Sequence, residues 1–321
     1  MQAIVMTTVG APEVLVVEEV DTPRAAAGEV LVRIEAIPVL YPETLMRSGA
    51  FPFPARLPAV FGFQAAGTVV EVGADVDQGL LGSRVVLSTP GYGSYAEFVA
   101  VSADSVTTVP TGLDPDAAAA ILMAGSVATA LFDTAAPSAG ETVLVEAAAT
   151  GVGASLTRLC AAARLRVIAT AGGPAKAELA RANGAHEVVD HNAPDWARQL
   201  PALLGDDTLG VVFDSIGGDS LTPVLDFVTP LRGRILSYGW LAGAPAQVTA
   251  AELILRGLTL TGCAGPAWLG TVAAHGAAAL DAAAQGRLVP VVDAVLPMAD
   301  AAKAHRMLED RVAMGSVLLR P

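Results

Sequence analysis

The pattern of hydrophobic and polar positions changes period once along the chain, near residue 114. Before that point short apolar runs alternate with polar residues: MQAIVMTT, VLVVEEV, GEVLVRIEAI, AAGTVVEVG and SRVVLST, punctuated by Gly and Pro. A period of two with turn residues between the runs predicts strands of a mostly β unit. Pro52, Pro54 and Pro58 predict a stiff connection, and GYGSYAEFVAV a loop leading into another strand. From Asp114 the period becomes helical, with Asp114 as N-cap and Pro115 at the first helical position of DPDAAAAILMAGSVATALFDTA.

Beyond that helix, strand and helix patterns alternate. The strands are VLVEAA, VIATA, EVVDH, LGVVFDSIGG, RGRILSYG and LTLTGC; the helices between them are ASLTRLCAAARL, AKAELARANGA, DWARQLPALLG and SLTPVLDFV. Such alternation predicts a parallel sheet covered by helices on both faces. The last segments read as helix VAAHGAAALDAAAQG, strand VDAVLPM, helix ADAAKAHRMLED and strand GSVLLRP, and are expected to return to the first unit. The predicted fold class is α/β: a mostly β domain from residues 1–121 and 264–321, and a doubly wound parallel-sheet domain from 122–263.

The stretch Glu141–Gly173 organises the second domain as one strand-turn-helix-strand unit. A turn of small residues at a helix start brings backbone N–H groups and the positive end of the helix dipole to one place, which suits a phosphate. Three glycines usually shape such a dinucleotide turn. Here their places fall on Ala148, Thr150 and Gly153, with an additional Gly151, so Thr150, Gly151, Val152 and Gly153 are the candidate phosphate contacts. The same residues also read as an ordinary connection between a strand and a helix.

Composition narrows the partners. Hydrophobic residues make up 53% of the 321 and charged residues 16%, which excludes a disordered chain. A net charge of −13 with no Lys/Arg run argues against nucleic acid and acidic membrane surfaces, leaving a small molecule. Two distant cysteines, Cys160 and Cys263, support no disulfide framework, and Cys160 reads as a packed core residue. The N-terminus alternates like a strand without a basic flank, and the alanine-rich segments are interrupted by Glu146, Arg158 or His275. The expectation is a cytoplasmic protein without a membrane span.

The order of domains, together with GAPEVLVVEEV, GEVLVRIEA, TLMRSGAFP, AAGTVVEVG, AAATGVG, VFDSIGGDSL, RILSYG, LTLTG and AAKAHRMLEDRVAMGSVLLRP, resembles the medium-chain dehydrogenase/reductase superfamily. The likeness is to its zinc-free quinone oxidoreductase, or zeta-crystallin-like, branch and covers essentially the whole chain. It implies a GroES-like catalytic domain, a Rossmann domain and a homodimer whose seam is the edge strand LTLTGC. Zinc-dependent relatives need thiolate, imidazole or carboxylate ligands. Residues 1–121 contain no His or Cys, and Gly62-Phe63-Gln64 stands where those relatives carry Gly-His-Glu, so no metal is expected.

NADPH is the expected cofactor. The second strand of the nucleotide unit ends in Thr170-Ala171-Gly172-Gly173 without the acid that would bind a ribose diol. Lys176 falls where the family contacts a 2′-phosphate. It also reads as a solvated lysine, although a cation in a first helical turn opposes the dipole unless an anion is near. The resemblance further places His191 and Arg311 by the cofactor, and Ser215, Gly217, Tyr238 and Gly239 along the nicotinamide's path. Gly217 and Gly239 read equally as turn glycines.

Departures from the family concern the reacting end. Leu40 replaces an Asn and Val127 a Thr that sit beside the nicotinamide in relatives, and Gln64 replaces a common Glu. Proton donors that remain are Tyr41 and Ser126, with water as the default; Tyr41 also reads as a packed aromatic. Glu43 reads as structural, pairing with Arg47 one helical turn on. Leu40, Met46, Phe51, Phe53, Phe61, Phe63, Met123, Val127 and Trp240 would line an apolar cleft on the family's plan, suited to a bulky apolar carbonyl substrate. Several of them serve equally well as core. The leading expectation is an NADPH-dependent, metal-free reductase of quinones or enones. A same-scaffold cyclase, dehydratase or isomerase of an aromatic or polyketide-like intermediate, or a nucleotide-binding protein without turnover, are the alternatives.

Overall fold

Chain contacts divide the molecule, a computed structural model that describes residues 1–51, 56–89 and 92–321, into two units. The first is Met1–Leu122 with Leu280–Pro321; the second is Met123–Ala279. The division differs from the expected boundary at 263/264, because residues 264–279 pack with the second unit. Trp268 lies against its hydrophobic core, and the His275 imidazole contacts Asp133 at 3.1 Å. The predicted Pro52–Pro54 connection, Phe53, and Pro90-Gly91 at the start of the GYG loop lie outside the described residues.

The first unit opens with β1 (Gln2–Met6), β2 (Leu15–Glu19), β3 (Glu29–Pro38), α1 (Tyr41–Ser48) and β4 (Ala59–Val60). It continues with β5 (Gln64–Val72), β6 (Arg84–Ser88), β7 (Phe98–Ser102) and β8 (Val106–Thr108). α2 (Pro115–Ala135) then crosses into the second unit. The second unit holds β9 (Thr142–Val145), α3 (Gly151–Ala162), β10 (Arg166–Ala171), α4 (Pro174–Ala182), β11 (Glu187–Asp190) and α5 (Leu200–Leu204). After these come β12 (Leu209–Asp214), β13 (Arg234–Ser237), α6 (Ala250–Arg256), β14 (Thr259–Gly262) and α7 (Pro266–Ala274). α8 (Gly276–Ala284) leads back to the first unit, which ends with β15 (Val292–Pro297), α9 (Ala301–Glu309) and β16 (Ser316–Arg320).

The return of the chain is a sheet contact. β16 runs antiparallel to β3, with Leu319 opposite Ile37 and Leu318 opposite Pro38, and β15 adds parallel to β16. Ile4, Val30, Ile37, Phe61, Leu87 and Leu319 meet in the core of this unit. In the second unit the strands are parallel in the order β11-β10-β9-β12-β13-β14. β9 and β12 are neighbours although two strands intervene between them in the chain, so the winding reverses there. In doubly wound sheets ligands bind outside the carboxyl ends of the strands at such a reversal.

Local chemistry explains the agreements and the departures. Asp114 caps α2 as expected, its carboxylate accepting from Ala117 N–H at 2.8 Å. α2 is, however, a helix of 21 residues that by length and composition could cross a membrane, contrary to the expectation that no apolar segment is so long. No charge interrupts it between Asp116 and Asp133. It is a core helix, with Ala118, Ile121, Ala128 and Leu131 buried in the protein. DWARQLPALLG folds as a 3₁₀ turn, Trp196–Gln199, followed by α5, with Pro201 near the α5 start where its missing N–H costs no bond. SLTPVLDFV folds as the 3₁₀ segment Thr222–Phe227. The predicted helix VAAHGAAALDAAAQG is broken at His275, whose ring contacts the Thr271 carbonyl at 2.8 Å, and Gly276 starts the next helix.

Candidate active site

The turn from β9 to α3 is held by two neighbouring elements. Ala147 N–H donates to Thr170 Oγ1 at 3.2 Å and Ala148 N–H to the Thr170 carbonyl at 2.9 Å, both at the end of β10. From the C-terminus of α4, Asn183 Nδ2 donates to the Ala148 and Ala149 carbonyls at 3.2 and 3.1 Å. Ala147, with φ of 48°, and Gly151, with φ of 56°, bend the backbone between. A Cβ on Gly153 would stand 2.3 Å from the Ala147 carbonyl oxygen, so only glycine lets α3 approach the turn this closely. A Cβ on Gly151 would meet open space.

Thr150 is the N-cap of α3 but makes no side-chain capping bond. The first N–H groups of the helix therefore point out of the turn beside an exposed Gly151, with the positive end of the dipole behind them. Such a helix start can receive a phosphate, and Thr150, Gly151, Val152 and Gly153 come together at it. Cys160 lies in the buried face of the same helix, its thiol pushed up to about 12 by burial, as a packed core residue would be.

The carboxyl edge of β10 and β11 gathers the next group. Thr170 is buried, and its hydroxyl also meets His191 Nδ1 at 3.0 Å. Thr170 therefore shapes the turn and orients His191. Gly172 sits beside the other ring nitrogen of His191. β10 ends without an acid. Asp190, at the end of β11, accepts from Gly173 N–H at 3.1 Å and Asn192 N–H at 3.0 Å, and those bonds hold its carboxyl below the ordinary range. Lys176 is half-buried in the first turn of α4.

A third group forms where β12 and β13 end. Glu146, the residue after β9, and Asp214, the last residue of β12, are both fully buried, with their carboxyl groups close enough to interact. Glu146 Oε2 accepts from Ser215 N–H and Ile216 N–H, each at 3.0 Å, and Oε1 from Ser220 O–H at 3.0 Å. Asp214 accepts from Gly217 N–H at 2.9 Å and Ser237 O–H at 2.6 Å. Burial first, and then the neighbouring Asp214, push the Glu146 carboxyl well above the usual carboxylate range. Tyr238 hydrogen-bonds Ser215, and its hydroxyl is raised mainly by burial. Leu241 N–H donates to the Ser215 carbonyl, bringing Ser215, Gly217, Tyr238, Gly239 and Trp240 into one loop cluster. Gly217 and Gly239 each pack against backbone, at 2.4 Å from the Ala244 oxygen and 2.8 Å from the Ser215 oxygen for a built Cβ. Close packing thus explains both glycines without a ligand.

In the first unit one carboxylate links several predicted residues. Glu43, fully buried in α1, accepts from Leu40 N–H and from Tyr95 O–H at 2.8 Å each through Oε2, and from Phe63 N–H at 2.8 Å through Oε1. Leu40, Tyr41 and Phe63 are brought together by it, while Phe51 packs against the same core. The Tyr95 hydroxyl also meets His305 Nε2 at 3.2 Å, and both rings pack on Phe61. Burial raises Glu43 to about 7 against the pull of its three donors, and lowers His305 to about 3. The expected Glu43–Arg47 pair does not form: the guanidinium turns instead to Glu309 and the Gly10 carbonyl, because Glu43 points into the core. Ser126, Met123 and Val127 lie on α2 in the second unit, Ser126 buried, and Arg311 occupies a left-handed turn after α9 with φ of 56°. Among the described residues no group of three His, Cys, Asp or Glu side chains is arranged to hold a metal ion.

Sequence reading passed over Glu146, Asn183, Tyr95 and His305. An acid directly after an apolar strand run was the available signal for Glu146. Asn183 and His305 reach their partners across 34 and 210 residues, and nothing local marks them.

A β unit joined to a doubly wound sheet with a phosphate cradle at its reversal point defines a nicotinamide-type dehydrogenase or reductase class. Residues 26–111 match the alcohol dehydrogenase GroES-like domain family and residues 151–281 the zinc-binding dehydrogenase family. A quinone oxidoreductase of Pseudomonas aeruginosa is 32% identical over 97% of each chain. A 2-haloacrylate reductase of a Burkholderia species is 32% identical over 100% of this chain and 99% of its own. The Escherichia coli quinone oxidoreductase solved with NADPH superposes with a TM-score of 0.91 at 30% identity over the whole of both chains. The chain belongs to the medium-chain dehydrogenase/reductase superfamily, in its zeta-crystallin-like quinone oxidoreductase branch, and is an oxidoreductase.

Proposed function

We propose that the protein is an NADPH-dependent, metal-free reductase of quinones or enones with a bulky, apolar substrate. The observation that carries this reading is the uncapped α3 N-terminus over Gly151, at the reversal point of the sheet. The β10 edge supports the phosphorylated cofactor, since it offers no acid to a ribose diol and places Lys176 in the adjacent helical turn. The relatives named above act on quinones or a haloacrylate, and one holds NADPH; quinones and haloacrylates share an electron-poor conjugated carbon. Bound NADPH supplies a hydride.

The chain's part is to orient and to exclude water. Thr150, Gly151, Val152 and Gly153 hold the pyrophosphate; Gly172, Lys176, His191 and Arg311 serve the adenosine end, with Thr170 as support; Ser215, Gly217, Tyr238 and Gly239 serve the nicotinamide end. Leu40, Phe51, Phe63, Met123, Val127 and Trp240 favour an apolar substrate. Water, Tyr41 Oη or Ser126 Oγ delivers the proton to the product. Following NADPH absorbance with a panel of quinones and enones tests the reading. Product formed without cofactor loss would replace it by the isomerase or cyclase alternative, which the apolar Leu40 and Val127 favour; NADPH binding without turnover of any carbonyl would leave a nucleotide-binding protein.

Lys176→Ala is expected to weaken NADPH about tenfold or more while changing NADH little, since one charge-assisted phosphate contact is lost. Equal weakening of the two removes the phosphate assignment. The protein is also read as a cytoplasmic homodimer, supported by its two buried free thiols and by exposed Leu231, Ile254 and Leu255 near the edge strand β14. Leu255→Glu is expected to give monomers in sedimentation velocity; a wild-type chain that sediments as a monomer refutes the dimer.

A further inference from the structure

Hydride transfer makes no use of a carboxyl pair, yet one lies buried at the reversal point of the sheet. Glu146 and Asp214 follow and end the two strands between which the winding turns back. Two carboxyl groups in contact and out of water cannot both be ionised, so one proton lies between them. Apart from the Ser237 hydroxyl, which Asp214 also receives, their side-chain partners lie on one short segment. Glu146 receives the N–H groups of Ser215 and Ile216 and the hydroxyl of Ser220, and Asp214 receives the N–H of Gly217. Three consecutive amides are thus tied to the ends of β9 and β12.

We infer that Glu146 is a positioning residue: sharing one proton with Asp214, it clamps the 215–220 turn in the shape that receives the nicotinamide end of the cofactor. The inference rests on the cofactor reading given above. An apolar residue at 146 leaves the Ser215 and Ile216 amides without their acceptor and Asp214 without its proton partner. The titratable groups that face Glu146 are Asp214 from β12 and Tyr238 from the loop after β13. Glu146 is held well above the ordinary carboxylate range by burial and then by Asp214. The clamp is therefore complete while Glu146 holds its proton and loosens as pH rises far enough to ionise it.

Glutamine at 146 keeps an acceptor for the two amides and offers an N–H to Asp214 in place of the proton; alanine keeps neither. The test measures NADPH and 2′,5′-ADP binding by calorimetry across the alkaline range in wild type, Glu146→Gln and Glu146→Ala. Amide hydrogen exchange over 211–220 is followed in the nucleotide-free proteins, with thermal melts to confirm folding. The alanine variant is expected to bind NADPH about tenfold or more weakly, and 2′,5′-ADP, which lacks the nicotinamide half, within about twofold of wild type. Its Ser215 and Ile216 amides exchange faster. The glutamine variant recovers binding and protection, and loses the alkaline decline that wild type shows. Unchanged NADPH affinity in the alanine variant, or an alkaline decline that persists in the glutamine variant, overturns the inference. Wild-type protein that binds neither nucleotide overturns the cofactor reading, and this role with it; exchange at 215–216 then still reports whether Glu146 clamps the turn.

Discussion

Gly153→Ala is expected to abolish useful NADPH binding. The added methyl would lie 2.3 Å from the Ala147 carbonyl oxygen and 3.0 Å from Ala148 Cα, and both obstacles are backbone. Neither yields easily, because Thr170 holds Ala147 and Ala148 from one side and Asn183 holds Ala148 and Ala149 from the other. Helix α3 must therefore move away, carrying the N–H groups of its first turn with it. A displacement of about 1 Å at a positioned donor set costs on the order of a hundredfold in affinity or rate. Overpacking adds about 1–3 kcal/mol of destabilisation, so melting is followed beside calorimetric titration. Gly151→Ala is the contrasting variant: its methyl meets no protein atom but must adopt φ of 56°, which costs about 1–2 kcal/mol. Wild-type affinity in Gly153→Ala would show that the cradle is not where the cofactor's phosphates sit.

The second large effect belongs to Glu43. Glu43→Ala is expected to destabilise the first unit by about 3–5 kcal/mol, since it leaves the Leu40 and Phe63 amides without their acceptor in the interior. Because Leu40 and Phe63 are proposed substrate positions and Leu40 adjoins Tyr41, catalytic efficiency should fall at temperatures where the protein is still folded. Titration provides an independent check. Glu43 is raised to about 7, so between the ordinary carboxylate range and that value the folded state binds more protons than the unfolded chain. The stabilisation is complete below the unfolded carboxylate pKa and is lost as pH rises through about 7. The loss amounts to about 3 kcal/mol in all. Glu146 acts with the same sign in the second unit, so the variants must be compared one at a time. Glu43→Gln has no proton to lose, and its melting temperature should fall less than that of wild type as the solution is made alkaline. Parallel profiles for the two would mean that Glu43 stays ionised in the core.

Much of this arrangement was legible in the residues. The period of two before residue 114 and the strand-helix alternation after it announced a β unit and a wound sheet, because burial on one face or both imposes those periods on any chain. Gly153 was legible as the packing glycine and Asp114 as a cap, since each role depends on a few neighbours in the chain. The failures share a cause. Glu43 was paired with Arg47 because residues four apart on a helix are neighbours; the interior, which had three donors waiting for a carboxylate, took Glu43 away. The alanine-rich segment 272–286 carries a helical pattern across His275, and the helix breaks there, where the imidazole meets both the Thr271 carbonyl and Asp133.

By itself the sequence determined the class of fold, the order of its main elements and the place of the small-residue turn between β9 and α3, with no His or Cys in the first 121 residues. These follow from short-range spacing and from which residue types are present at all. Only the tertiary structure decided that Glu146 meets Asp214, that Glu43 holds Leu40 and Phe63, and that Asn183 supports the turn. Buried polar groups are paired by whatever donor or acceptor the fold brings within about 3 Å, and that choice is made between elements far apart in the chain.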